Sequence, residues 1–167
     1  MNRMGGQLRV ERVIRGIRRD SLQEGSRKAR VQYNPRMPKA KGTFEVKLAP
    51  LEAYNAESES KLGRMSLDKQ FHGDLEGSSK GEMLHVGGET HGPSAAVAVE
   101  RVNGVLSGKS GGFALYHVGV MENGAPKFWN VNIAPDTGTG DLAGIKGELK
   151  IIIEGKTHSY ELDYELP

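Results

Sequence analysis

The chain contains no cysteine. Disulfides, thiolate metal sites and a cysteine nucleophile are therefore excluded, and a reduced, cytoplasmic compartment fits the composition. No stretch reaches the roughly 18 apolar residues that a membrane-spanning helix needs. The N-terminus lacks the apolar core and small-residue cleavage site of a secretory signal. The five histidines show none of the acid–histidine spacings of common metal motifs, so no metal is expected. No cofactor is implied either. The glycine-rich run at 138–144 (GTGDLAG) is not followed by Lys-Ser/Thr or by a helical pattern, so it reads as a turn and not as a phosphate loop. No serine stands in a nucleophile-elbow context. From Met37 onward, helical periodicity is missing altogether.

What is present divides the chain near Met37. Residues 1–36 hold nine Arg and one Lys against three acids, a net charge of +7. The 131 residues from Met37 carry 13 basic and 18 acidic side chains, a net charge of −5. The overall +2 thus conceals two opposite segments. Within 8–19, Leu8, Val10, Val13, Ile14 and Ile17 recur at roughly helical spacing among arginines. A short basic amphipathic helix of this kind suits nucleic acid or an anionic membrane surface. Three plainer readings compete with it: a disordered extension, a vector-derived tail, or translation from an upstream start with Met37 as the natural one. The expected division is a basic N-terminal extension at 1–36 and one folded domain at 37–167.

That domain reads as about eight short strands. The candidates are 43–48, 64–75, 80–86, 96–102, 112–121, 127–134, 148–154 and 158–165. In 64–75, Met65, Leu67, Phe71 and Leu75 fall on one face, with Ser66, Asp68, Gln70, His72 and Asp74 on the other. Asn103-Gly104 and Asn123-Gly124 are dipeptides that tight turns prefer, because both residues tolerate positive φ. Ser78-Ser79, the segments 107–112 and 135–140, and Glu154-Gly155-Lys156 are further expected breaks. The 23 glycines suit so many turns. Evenly spaced strands with such connections predict an all-β fold, a small antiparallel barrel or sandwich.

Five tracts then resemble a known family: LGRMSLDKQFHGDLEGSSKGEML (62–84), VERVNGVLSGKSGGF (99–113), HVG (117–119), APDTGTGDLAG (134–144) and HSYELDYELP (158–167). They are similar to the bacterial family known as domain of unknown function 3224. The resemblance spans 37–167 and implies a small eight-stranded antiparallel β-barrel like that of allene oxide cyclase. It implies no established activity. The chain departs from the family pattern at Ala95-Ala96, where a Gly-aromatic pair is usual, and at Tyr116, where a Gln is usual.

In a small barrel alternate residues face inward, so a polar residue in apolar phase is the informative one. Lys69 shares its phase with Met65, Leu67 and Phe71. His117 shares its phase with Phe113 and Leu115, and His158 and Tyr160 share theirs with Tyr164. Glu100 stands in a run that is apolar on both faces. The candidate catalytic set is Lys69, Glu100, His117 and Tyr160: Glu or His as base, Lys or Tyr stabilising an oxyanion. The candidate ligand contacts are Met65, Leu67, Phe71, Phe113, Leu115, His158 and Tyr164. Structural roles compete for each: Lys69 snorkelling at the mouth, His117 hydrogen-bonded in the core, Tyr160 as packing.

Three functions follow from this. The first is a barrel that binds a small apolar molecule in its lumen. The second is a cofactor-independent isomerase or cyclase using the same acid–base residues. The third is a structural or interaction barrel with a solid interior. The acidic domain has no aromatic–basic platform, so no nucleic acid is expected on it. Related barrels associate through their outer faces, so a homo-oligomer is in scope.

Overall fold

A computed structural model of the chain describes residues 37–55, 62–87, 94–122 and 125–167. The basic segment at 8–19 and the Asn123-Gly124 turn lie outside the described residues. The strands are β1 (Lys39–Leu51), β2 (Leu62–Gly73), β3 (Leu75–Val86), β4 (Ala95–Leu106), β5 (Lys109–Glu122), β6 (Ala125–Ile133), β7 (Thr139–Gly140), β8 (Lys146–Glu154) and β9 (Thr157–Glu165). They pair antiparallel in the order β4-β3-β2-β1-β9-β8-β6-β5, and β4 pairs back onto β5. This closes a barrel of eight long strands, with the β6–β8 seam joined at one position only. The two-residue β7 adds to β5 outside that circuit. Among the described residues, no helix is long and apolar enough to cross a membrane.

Alternation along each strand decides what faces inward. Phe44 in β1, Phe71 in β2, Val102 in β4, Phe113 and Leu115 in β5, Val131 in β6, Leu149 in β8 and Leu162 in β9 all join one buried core. Register carries the phase from strand to strand. Phe44 pairs with Phe71 and Val46 with Lys69, so Lys69 is held in the inward row.

Two expected turns prove to be strand interior. Ser78 and Ser79 lie in β3, where Ser79 pairs with Lys69; the chain reverses instead at Asp74, between β2 and β3. Asn103-Gly104 lies inside β4, where Gly104 pairs with Gly77 on one side and Gly111 on the other. Three strands cross at that row of glycines, and the ladder continues through it. The reversal comes at Ser107 and Gly108, whose φ values of 48° and 84° suit a two-residue hairpin turn.

The two ends of the barrel differ. One end is plugged. Leu142 and Ile145, from the segment joining β7 to β8, are buried against the core. Arg101 holds that connection by donating Nη1 to the Thr137 carbonyl at 2.7 Å and Nη2 to Thr139 Oγ1 at 2.9 Å. Thr137 Oγ1 accepts from the Ala114 amide at 3.0 Å and donates to the Ala134 carbonyl at 2.7 Å. Among the described residues nothing covers the other end, and β6 and β8 share a single ladder pair, Asn132 with Glu148, on the plug side of the barrel. Their outer halves are not zipped together.

Candidate functional site

Where the plugged core gives way to the open end, three charged or titratable side chains converge. Lys69 comes from β2, Glu100 from β4 and His117 from β5. Lys69 Nζ lies 2.6 Å from Glu100 Oε1, and His117 Nε2 lies 2.7 Å from the same oxygen. The side chains of Lys69, Glu100 and His117 are only 4%, 0% and 7% exposed, so water screens little of this interaction. Ser79 Oγ donates to Glu100 Oε2 at 2.5 Å. Local sequence makes the convergence feasible. Gly81 is the ladder partner of Glu100, and a Cβ there would lie 2.6 Å from the Glu100 Cβ. Only glycine leaves room for the carboxylate to lie across β3 toward Lys69.

Burial pushes the Glu100 carboxyl up. The His117 hydrogen bond and the Lys69 charge outweigh that and hold its pKa at about 2. Glu100 is therefore ionised near neutral pH and can only accept hydrogen bonds. It follows that His117 Nε2 carries the hydrogen in their contact. In a neutral ring this leaves Nδ1 as the acceptor. Lys69 Nζ also sits 5.0 Å from the Phe44 ring centroid and 5.9 Å from that of Phe71, within cation–π range.

Above the cluster a cavity of about 210 Å³ opens toward the unplugged end. Lys69 and His117 form its polar floor. Its walls are apolar and include Phe44, Leu67, Met83, Trp129, Ile151 and Ile153. Ala96, Ala98 and Gly119 give one wall of small residues. Gly119 has no side chain because the Trp129 ring occupies that space; a Cβ would meet it at 2.7 Å. A larger groove of about 570 Å³ runs beside residues 53–55, past Leu84, Val97 and Val99. These side chains are exposed and belong to the outer surface, and the buried charge cluster does not reach the groove.

The structure brings together three of the four candidate catalytic residues. Tyr160 stands apart. It is buried in the core, its hydroxyl accepts from the Leu75 amide at 2.9 Å, and burial pushes its pKa up. Of the candidate ligand contacts, Leu67 and His158 line the cavity. Phe71, Phe113, Leu115 and Tyr164 lie in the core, and Met65 is half-buried outside the cavity wall. Sequence reading missed Ser79, which it placed in a turn, together with Phe44, Met83, Trp129 and the β8 isoleucines. Phase alone would have found Phe44, because it shares its phase with Val46 and Leu48 and alternates with Glu45 and Lys47.

Residues 40–164 match the family described as protein of unknown function DUF3224. The chain belongs to this family. A crystal structure of a DUF3224 protein of unknown function from Shewanella oneidensis MR-1 is 40% identical, with a TM-score of 0.72. That likeness covers 78% of this chain and 98% of the Shewanella chain. No curated protein matches the sequence. The family membership thus carries the barrel fold and no assigned activity.

Proposed function

We propose that this DUF3224 barrel binds a small, mostly apolar molecule in its lumen. The observation that carries the reading is the one-ended cavity of about 210 Å³, walled by apolar side chains and floored by Lys69 and His117. Cavities for drug-sized ligands run from about 300 Å³ upward. An apolar cavity of about 150 Å³ accepts benzene. The size therefore points to a molecule of about ten heavy atoms. It also weighs against an interior filled solid by side chains. A methyl-detected NMR titration with monocyclic fragments tests this. Shifts confined to Ala96, Ala98, Ile151 and Ile153 support binding in the lumen, and their absence across the fragment set contradicts it. Bacterial and cytoplasmic placement fits the Shewanella relative and the lack of cysteine.

A second reading rests on the fixed orientation of His117. With Nε2 tied to Glu100, the other ring nitrogen is available as a base beside the Lys69 ammonium. His117 would take a proton from the carbon between a carbonyl and a carbon–carbon double bond, Lys69 would hold the dienolate oxygen, and the proton would return at the far carbon of that double bond. Glu100, which does not line the cavity, would position both. His117→Gln should then abolish solvent deuterium exchange into a bound ketone while leaving its affinity within a few fold. Unchanged exchange would remove this reading and leave the binding one intact.

A further inference from the structure

Among the described residues, the cavity presents the Lys69 ammonium and no carboxylate, which narrows its ligand beyond the apolar class. This inference rests on the lumen being a binding site. Among the described residues, neither Asp nor Glu lines the cavity. Glu100, the acid of the cluster, is enclosed behind the wall. Its Oε1 accepts from Lys69 and His117, and its Oε2 accepts from Ser79. The space above therefore faces the Lys69 ammonium and the imidazoles of His117 and His158.

The Lys69 ammonium has three N–H groups. One reaches Glu100 Oε1, and no other acceptor among the described residues bonds to Nζ. The remaining surface of the ammonium lies near the Phe44 and Phe71 rings. A buried donor left unmet is costly, and an ionised acceptor forms a hydrogen bond roughly twice as strong as a neutral one. The apolar walls raise the value of that charge pairing further.

Shape adds a second restriction. Ala96 and Ala98 make one wall of small side chains, and the Phe44 ring also lines the space. A planar ring fits between such surfaces. A volume of about 210 Å³ leaves room for one ring and a head of about three atoms beyond what benzene fills.

We propose that the lumen takes a monocyclic carboxylate, with its carboxylate on Lys69 and its ring between the small side chains of Ala96 and Ala98 in β4 and the Phe44 ring of β1.

The test is isothermal titration of the full chain with benzoate and with benzamide, which match in size and differ in charge. Benzoate should bind at least tenfold more tightly. The double variant Lys69→Met/Glu100→Gln removes the charge pair while keeping the shape, and there the preference for benzoate should vanish. Ala96→Phe fills the cavity without touching the charged cluster and should abolish binding of both. It serves as the control if the double variant does not fold. Equal binding of the two probes, or tighter binding of benzamide, would overturn the carboxylate assignment and leave lumen binding standing. Benzoate binding that survives Ala96→Phe would place the anion elsewhere and overturn the assignment too. Failure of both probes, together with failure of every other monocyclic fragment, would overturn the lumen reading itself.

Discussion

Glu100 sits behind the cavity wall with both carboxylate oxygens engaged, and its partners form the floor that a ligand would meet. Removing one member of a buried pair leaves the other charge uncompensated, at a cost of roughly 3–5 kcal/mol. Glu100→Gln should therefore lower the urea midpoint markedly at neutral pH. The acid dependence follows from the same contact. The carboxyl is held at about 2 in the fold against an ordinary value of 4.5. A depressed folded pKa contributes stability that is complete above the unfolded value and disappears as pH falls through the folded one. Wild-type stability should fall between pH 4.5 and about 2 more steeply than that of Glu100→Gln. Parallel slopes in urea titrations across that window would contradict the account. In the sequence, Lys69 was legible as the lone cation in an apolar row. Glu100 was ambiguous because its run is apolar on both faces, and only the register of β4 against β3 and β5 turns it inward. Tyr160 was rightly read as inward-facing, but phase along a strand does not say at which height of the barrel a side chain sits. Its hydroxyl serves the Leu75 amide, away from the charged cluster.

The elements are unequal in how firmly they are joined. β2, β3 and β4 pair over ten or more consecutive positions, whereas β6 and β8 share one ladder pair. Trp129 of β6 and Ile151 and Ile153 of β8 line the cavity at this seam. Amides without a ladder partner open at low free energy. Hydrogen exchange should accordingly be fastest, among strand residues, at the β8-facing amides of 127–131 and on the β6-facing side of 150–153. Exchange there as slow as in β2–β4 would show that the seam is closed in solution. Alternation marked all eight long strands in the sequence, but it ran β2 on to Leu75 and began β3 late, at Lys80. Asn103-Gly104 misled because the turn chemistry is real, yet the dipeptide lies where three strands cross at paired glycines. Residues 134–144 gave a family resemblance and a turn. Their role as a plug held by Arg101 depends on contacts made across the barrel, which strand periodicity cannot reveal.

For the whole molecule, the outer surface carries a band that strand pairing makes continuous. Leu84 neighbours Val97, Val97 neighbours Val118, and Val120 neighbours Phe128. Their exposures run from 37% to 56%, which makes an apolar face that isolated soluble domains seldom leave open. A second copy of the chain offers the same face, and a two-fold pairing would cover both. Sedimentation velocity should therefore give the mass of an oligomer, and Val97→Lys with Val118→Glu should return it to a monomer. A wild-type monomer at tens of micromolar would refute this. The central claim concerns the lumen, and mass spectrometry tests it directly. The protein, purified without denaturation from the cells that make it naturally, is weighed intact and again after denaturation. An added mass of a small organic acid that disappears on denaturation is the predicted result. Identical masses in the two states, for a folded protein in which Ala96→Phe also changes no ligand response, would contradict it.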